Sequence, residues 1–121
     1  MESSNLGEKM EKTISIAHDF NKFPAGRYLT DGPYNGEKFR IEYLTPALND
    51  KKISILRISL DGLGGVGSSF WDEAFGGLIL KDKIPYHTIK QKLQLICKED
   101  EALSKLVWDC IEEAKDVSDG Q

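Results

Sequence analysis

Three apolar segments of the chain predict the strands of a small sheet. From Thr13 onward, Ile14 and Ile16 alternate with more polar neighbours, which is the period of a half-buried strand. Residues 53–60 are rich in β-branched and apolar side chains, as expected of a central strand that is covered on both faces. Residues 92–97 form a third short apolar segment. The pattern therefore predicts one central strand and two others.

Between and after these strands the apolar spacing becomes helical. Asn35 has the chemistry of an N-cap for a first helix, which Pro46 must break or restart. Ser69 and Asp72 have the spacing of a capping box at the start of a second helix, and Asp100 is the expected cap of a third. The predicted buried faces are Phe39, Tyr43, Leu44 and Leu48, then Phe70, Ala74, Phe75, Leu78 and Ile79, and finally Leu103, Leu106, Val107, Cys110, Ile111 and Ala114.

The remaining segments connect these elements. Residues 19–33 contain two prolines and two glycines, which predicts a loop or a hairpin with a short strand at residues 26–29. A short linker containing Pro85 precedes the third strand. The alternation of strands and helices predicts an α/β fold, with a small mixed or mainly parallel sheet and right-handed crossovers that pack helices on it.

Length and composition indicate one ordinary globular domain. The 121 residues include 40% hydrophobic and 30% charged residues, with both signs interspersed. We expect a flexible start at 1–12, the domain at 13–116 and a flexible end at 117–121. No apolar run reaches the length of a membrane span, and the first residues are polar. We therefore expect a cytoplasmic protein that is not associated with a membrane.

The net charge and the small number of possible metal-ligating residues exclude several classes of function. The net charge of −4 makes nucleic acid an unlikely partner. Cys97 and Cys110 have neither zinc-site nor redox-pair spacing, so we expect reduced thiols. His18 and His87 are too few for a histidine-rich metal site and have no motif that joins them to a serine nucleophile. We therefore expect no metal, no cofactor and no catalytic residues.

The segment after the central strand, residues 61–69, is rich in glycine. Its glycines match G-x-G-x-x-G, which allows an anion or nucleotide to bind against Gly64, Gly65 and Gly67. The alternative is that the glycines only permit a tight turn before a helix that Ser69 caps. A helix start beside two hydroxyls also favours phosphate, which makes both Ser69 and Ser68 phosphorylation candidates.

Charged residues cluster in the loop before the first helix. Arg27 and Arg40 carry guanidinium forks suited to an anionic ligand near the glycine loop, with Asp31 as a further candidate. The alternative is a set of internal ion pairs, in which these arginines bond to Asp31, Glu37 or Glu73 and hold an irregular loop in place.

Tryptophan provides a different lead. Trp71 lies in the first turn of the second helix, and an exposed tryptophan beside polar residues often marks a protein contact. With Phe70 and Glu73 it is our candidate interface. The alternative is that Trp71, like Trp108 in the last helix, covers a neighbouring element.

Two segments carry a resemblance to known families. Residues 53–80 resemble the core of STAS domains, and Ser69 matches the serine that is phosphorylated in anti-sigma-factor antagonists. The segments FPAGRYLTDGPYNGEKFR (23–40) and GSSFWDEAFGGL (67–78) are similar to a distinct STAS-like family of unknown function, DUF4325. The resemblance implies a STAS-like fold and a prokaryotic regulatory setting, sometimes beside histidine-kinase-like ATPases.

Two hypotheses follow for the function. The first is a non-enzymatic regulatory module that binds a protein partner, such as a kinase-like ATPase, through the glycine-rich loop and Ser68 or Ser69. The second is a ligand-binding or catalytic domain that holds a nucleotide or phosphate with the glycine loop, Arg27 and Arg40. The oligomeric state is left open by the sequence.

Overall fold

A parallel sheet of three strands forms one layer of the computed structural model, which describes residues 9–121. The strand order is β1-β2-β3, and both neighbouring pairs are parallel. The predicted α/β fold with helices packed on a parallel sheet is therefore confirmed. The strands are β1 (Met10–Ser15), β2 (Ile53–Ser59) and β3 (Leu93–Ile96).

Within residues 9–121, a π turn (Ile16–Phe20) follows β1, and four α-helices connect and follow the strands. Two of them contain an internal π turn, in which a backbone N–H bonds five residues back rather than four. Helix α1 (36–49) comprises Gly36–Phe39, the π turn Arg40–Leu44 and Thr45–Asn49; α2 (68–80) comprises Ser68–Trp71, the π turn Asp72–Gly76 and Gly77–Leu80; α3 is Tyr86–Lys92 and α4 is Glu101–Asp119.

The ends of the predicted domain differ from those observed. Strand β1 begins at Met10, so the last residues of the predicted flexible start belong to the sheet. Residues 1–8 of that predicted segment lie outside the described residues. At the other end α4 continues to Asp119, beyond the boundary predicted at residue 116. The ordered elements thus extend further in both directions than the apolar pattern indicated.

Three local predictions are wrong. Residues 26–29 form no strand, because the loop there leads into a 3₁₀ turn at Leu29–Asp31. The linker predicted around Pro85 contains helix α3. Pro46 does not break α1, since the π turn ahead of it has the Thr45 N–H bonded to the Arg40 carbonyl and the helix then continues.

The predicted helix caps are confirmed at two positions and wrong at a third. The Asn35 side chain accepts a hydrogen bond from the Lys38 N–H at 2.8 Å, and Asp100 accepts one from the Ala102 N–H at 3.0 Å. Ser69, in contrast, is the second residue of α2. The N-cap is Gly67, which has no side chain to bond the first turn. The hydroxyl of Ser69 is therefore not used as a cap.

The two faces of the sheet differ in polarity. Leu56 and Ile58 of β2 are fully buried under the helices, whereas Arg57 between them points to the opposite face and is half-buried. Thr13, Arg57 and Gln94 lie side by side in register across the three strands, and Arg57 donates to Gln94 at 3.2 Å. The prediction that β2 is covered on both faces is therefore wrong, and one face is polar.

Helix α2 lies at the centre of the helical layers. It packs against α1 on one side and α4 on the other. Gly76 faces α4, where an added Cβ would lie 3.5 Å from the Cys110 carbonyl oxygen and 3.7 Å from the Ala114 Cβ. Leu106, predicted to be on the buried face of α4, is 44% exposed. The core is thus formed by one sheet face and both sides of α2.

Gly36 allows α1 to approach α2 closely. A Cβ on Gly36 would lie 2.6 Å from the Phe70 carbonyl oxygen and 3.0 Å from the Cβ of Glu73. Both atoms belong to the body of α2 and cannot rotate away, so the helices would have to separate. Gly65 offers a matched control, because an added Cβ there has no neighbour within 4 Å and its φ is not positive.

We predict that Gly36→Ala lowers the free energy of unfolding by about 1–3 kcal/mol through overpacking between α1 and α2. Gly65→Ala is expected to leave it unchanged or raise it slightly, because alanine restricts the unfolded chain. Urea denaturation followed by circular dichroism measures both. Equal stability of the two variants would contradict the close helix contact.

Candidate functional site

Two loops meet at the carboxyl end of the sheet, where parallel α/β folds place their binding sites. The first is residues 21–35, after β1, and the second is residues 61–67, after β2. The Gly64 N–H donates to the Lys22 carbonyl at 3.0 Å, and the Phe23 ring occupies the space where a side chain at Gly64 would project. The two loops therefore form one continuous surface.

Aromatic rings anchor this surface to the core. Phe20 packs on the buried Phe39 with ring centroids 5.1 Å apart, and Tyr34 packs edge-on against Phe20 at 5.5 Å. Tyr34 is 39% exposed and Phe23 is 65% exposed. Neither was identified from the sequence, because they are isolated in a loop without periodic neighbours. Their exposure beside glycines is the property expected of a contact surface.

The two candidate serines lie at this end of the molecule. Ser68 and Ser69 are the first two residues of α2, and both are exposed. The N–H groups at a helix start lack partners within the helix and carry the positive end of its dipole. A phosphoryl group on either hydroxyl would therefore meet a favourable field.

The glycine-rich loop is shaped by hydrogen bonds from outside it. Gly62 has a φ of +82°, which a tight turn requires of glycine. Its N–H donates to a Glu99 carboxylate oxygen at 3.0 Å. Because the N–H groups of Gly62 and Gly64 are both already bonded, only Gly65 and Gly67 remain of the predicted anion cradle, and space is open around both.

A reciprocal pair of carboxylates ties this loop to the segment after β3. Asp61 accepts a hydrogen bond from the Glu99 N–H at 3.0 Å, while Glu99 accepts the bond from Gly62. The backbone N–H groups of Glu99 and Lys98 lower the pKa of the Asp61 carboxyl, because they stabilise its charged form. The glycine loop is thus held by a contact that depends on ionisation of Asp61.

Arg40 is buried inside the helical layers. Its Nη1 donates to a Glu73 carboxylate oxygen at 2.6 Å, and its Nε donates to Asp82 at 3.0 Å. Thr45 donates to the same Asp82 oxygen at 2.6 Å, and the Lys81 ammonium lies 3.0 Å from Glu73. Arg40 is therefore engaged in the internal ion pairs that were one of its two predicted roles, and it is not available at the surface.

The π turn of α2 is built around this arginine. The Gly77 N–H bonds to the Asp72 carbonyl, five residues back, which frees the Glu73 carbonyl. Arg40 Nη1 donates to that freed carbonyl at 2.8 Å. An added Cβ on Gly77 would meet the Cδ and Cζ of Arg40 at 3.1 Å, so the guanidinium fits only against glycine.

Arg27 differs from Arg40 in both position and partners. Its guanidinium is one-third exposed and lies 3.7 Å from the Asp72 carboxylate, near the first turn of α2. Asp31 accepts hydrogen bonds from the backbone N–H groups of Arg27 and Tyr28 at 3.1 and 2.8 Å. Asp31 therefore shapes the loop, whereas the Arg27 guanidinium is partly exposed beside Asp72.

The interface predicted at Trp71 is not a surface in the structure. Trp71, Phe70 and Glu73 are 1%, 0% and 3% exposed. The Trp71 ring packs on Phe70 and Phe75, and Glu73 belongs to the Arg40 network. An interface role for these three side chains is therefore wrong, because they fill the contact between helices. The exposed groups at the same end are Phe23, Ser68 and Ser69.

Within residues 9–121, the histidines and cysteines form no hydrogen bonds with the candidate serines. His18 is exposed in the π turn after β1, and His87 is exposed in α3 rather than in a linker. Within residues 9–121, neither imidazole bonds to Ser68 or Ser69, and no group of three or more His, Cys, Asp or Glu side chains has the arrangement of a metal site. Cys97 and Cys110 are free thiols.

We predict that Arg40→Met lowers the free energy of unfolding by about 3–5 kcal/mol, because the buried Glu73 keeps only the exposed Lys81 as a cation and the half-buried Asp82 loses its guanidinium partner. Arg57→Met is the matched control: Arg57 also pairs with a carboxylate at 2.6 Å, but on the open face of the sheet, so the expected loss is below about 1 kcal/mol. Urea denaturation compares the two. Similar losses would contradict the central role of Arg40.

We predict that Asp61→Asn destabilises the protein at neutral pH and that this difference disappears in acid. The lowered pKa of Asp61 means that its bonds stabilise the fold above the unfolded pKa of about 3.9 and are lost as pH falls through the folded-state pKa. Urea midpoints measured across the acid range test this. Curves for the two proteins that stay parallel throughout would contradict it.

In the part of the chain that is described, no helix has the length and apolarity needed to cross a membrane.

Comparison with known proteins identifies the family of this chain. Searches of curated proteins and of solved structures find no match. The family model for the STAS-like domain of unknown function (DUF4325) matches residues 35–106, from the cap of α1 into α4, including the Arg40 network and the glycine loop. The chain therefore belongs to this STAS-like family.

Proposed function

We propose that this chain is a non-enzymatic regulatory module that binds a protein partner through its helix-start surface, formed by Phe23, Gly65, Ser68 and Ser69. The observation that carries the proposal is the pair of exposed serines in the first turn of α2, beside an exposed aromatic ring. Aromatic side chains with a polar surround are enriched at protein interfaces. The buried Arg40 network holds α2 rigidly behind this surface.

Phosphorylation of Ser69 is the proposed switch. Ser69 is exposed, its hydroxyl is not used as a cap, and the Gly67 N-cap brings no side chain that competes for the first N–H groups of α2. The Arg27 guanidinium lies 3.7 Å from the carboxylate of Asp72, three residues after Ser69. A phosphoryl group on Ser69 would offer this guanidinium a stronger, charge-assisted bond, so the switch changes both the charge of the surface and the partner of Arg27. Ser68 is the neighbouring candidate.

The proposed partner is a histidine-kinase-like ATPase. Support for this choice comes from the resemblance to regulatory STAS domains, in which the position of Ser69 is the phosphorylated one. The surface also has suitable chemistry: Phe23 supplies an apolar anchor, and the two hydroxyls and open glycine backbone supply hydrogen bonds.

The alternative function, binding of a nucleotide or phosphate by the glycine loop with both arginines, receives less support. Arg40 is 2% exposed and bonded to Glu73 and Asp82, and the Gly64 N–H is bonded to the Lys22 carbonyl. Arg27 alone would remain to hold the anion, and no observation favours a nucleotide at this loop.

We predict that the chain recovered from its own cells carries the mass of one additional phosphoryl group, and that Ser69→Ala abolishes this addition. Intact-mass spectrometry measures it, and Ser68→Ala is the matched control, which is expected to retain the modification. Loss of the modification in Ser68→Ala alone would move the switch to that residue and contradict its assignment to Ser69.

The partner is tested by titrating the purified chain with the histidine-kinase-like ATPase encoded in the same genome. A negative charge in Ser69→Asp is expected to change the affinity by about tenfold, a typical size for coupling between a modification and binding. Ala102→Asp is the matched control, because Ala102 is likewise the exposed second residue of a helix, α4. No complex with the unmodified chain, or equal effects of both variants, would contradict the proposal.

A further inference from the structure

A cavity of about 290 Å³ lies between α2 and α4, on a side of α2 that the helix-start surface does not use. Gly76 adds no side chain to the wall on α2, which the side chains of Leu80 and Lys81 complete, and Ala114 and Val117 line the wall on α4. Tyr28 also lines the cavity. The wall on α2 includes the π turn, a distortion that is frequent at functional sites.

Charges of both signs surround this apolar floor. Arg27 and Lys81 line the cavity together with the carboxylates of Asp72, Glu73 and Glu113. The Lys81 ammonium is already engaged, since it lies 3.0 Å from Glu73 and 4.8 Å from the centre of the Tyr28 ring. Glu73 in turn is neutralised by Arg40 and Lys81. Lys81 and Glu73 therefore stabilise the wall of the cavity, and the remaining charged side chains of the lining are available to a ligand.

Two of the lining charges are not satisfied by the protein. The Arg27 guanidinium makes only the 3.7 Å contact with Asp72, which is longer than a hydrogen bond. The exposed Glu113 carboxylate accepts no hydrogen bond and forms no ion pair within residues 9–121. The cavity thus combines one cation with free donors, one anion with free acceptors and an apolar floor.

The volume of about 290 Å³ suits a small ligand, and the cavity is partly open to solvent. A nucleotide would have to extend beyond it. A simple anion would face three carboxylates, and a simple cation would leave the Arg27 donors unused. A small molecule with both charges and an apolar part satisfies the size and the charges together.

We propose that this cavity binds a free α-amino acid with an apolar side chain. Its carboxylate would accept hydrogen bonds from Arg27, its ammonium would donate to Glu113, and its side chain would lie against Gly76 and Ala114. Arg27 is shared with the proposed switch, because a phosphoryl group on Ser69 would compete for its guanidinium, whereas the Glu113 contact belongs to this proposal alone.

Cys110 in the same cavity acts as part of the apolar wall. Burial, together with its hydrogen bond to Asp72, raises the pKa of the thiol to about 12, so it stays protonated and unreactive at neutral pH. A protonated thiol behaves as a small hydrophobic group. Cys110 therefore contributes no thiolate to the cavity.

The test is thermal unfolding of the full chain with each of the twenty standard amino acids in turn. A ligand that binds the native state raises the apparent stability with its concentration. We expect an apolar amino acid to raise the midpoint, and analogues of that amino acid without the ammonium or without the carboxylate to raise it much less. No shift with any amino acid, or equal shifts with the single-charge analogues, would overturn the proposal.

Variants assign the contacts by calorimetric titration with the amino acid that gives the largest shift. Arg27→Met and Glu113→Gln are each expected to weaken binding by about tenfold or more, since each removes a charge-assisted hydrogen bond. Arg57→Met, on the open face of the sheet, is the matched control and is expected to bind normally. Unchanged affinity in Glu113→Gln would overturn the assignment. Within residues 9–121 Glu113 forms no hydrogen bond with Ser69, so this result would leave the proposed partner switch unaffected.

Discussion

The ion pairs of the buried Arg40 guanidinium are the interaction on which the rest of the helical structure depends. A charge that is 2% exposed persists only if its donors are bonded, and here Glu73 and Asp82 provide both carboxylates. Arg40 also takes the carbonyl that the π turn of α2 releases. The glycine at position 77 and the bulge in α2 are therefore consequences of placing one arginine between two helices.

Fixing α2 in this way determines what its surroundings can do. The first turn of α2 presents Ser68 and Ser69 at the carboxyl end of the sheet, while its π turn forms one wall of the cavity against α4. Arg27 lies close to both, because its guanidinium contacts Asp72 and lines the cavity. A single helix thus positions two chemically different surfaces, the one proposed here for protein contact and the one proposed for a small zwitterion.

The elements governed by local chemistry could be predicted from the sequence. The central strand at residues 53–60 and the caps Asn35 and Asp100 depend on residues close in the chain, and all three are present. The π turns could not be predicted, because the bulge in α2 depends on an arginine 33 residues earlier. Internal ion pairing of Arg40, with Glu73 among its candidate partners, was the favoured alternative because charges in loops more often position the backbone, but its second partner Asp82 was not identified.

The candidate site could be predicted only in part, again because some of its features depend on residues that are distant in the chain. Ser68 and Ser69 are exposed as expected, because a glycine-rich loop precedes them. Trp71 and Phe70 are both buried since α2 has neighbours on two sides, which its own apolar stripe does not reveal. Phe23 and Tyr34 carry no periodic signal at all. Their role depends on which loop lies opposite, and that is a property of the fold.

The sequence separation within the Arg40 network has a consequence for synthesis on the ribosome. Its two acidic partners follow it by 33 and 42 residues. While only the first half of the chain has emerged, burying the guanidinium would leave its charge uncompensated, so it stays hydrated and α1 cannot dock stably. Asp82 must leave the exit tunnel before the helical layer closes. The helical layer of the nascent chain therefore closes late, after most of the chain has been synthesised.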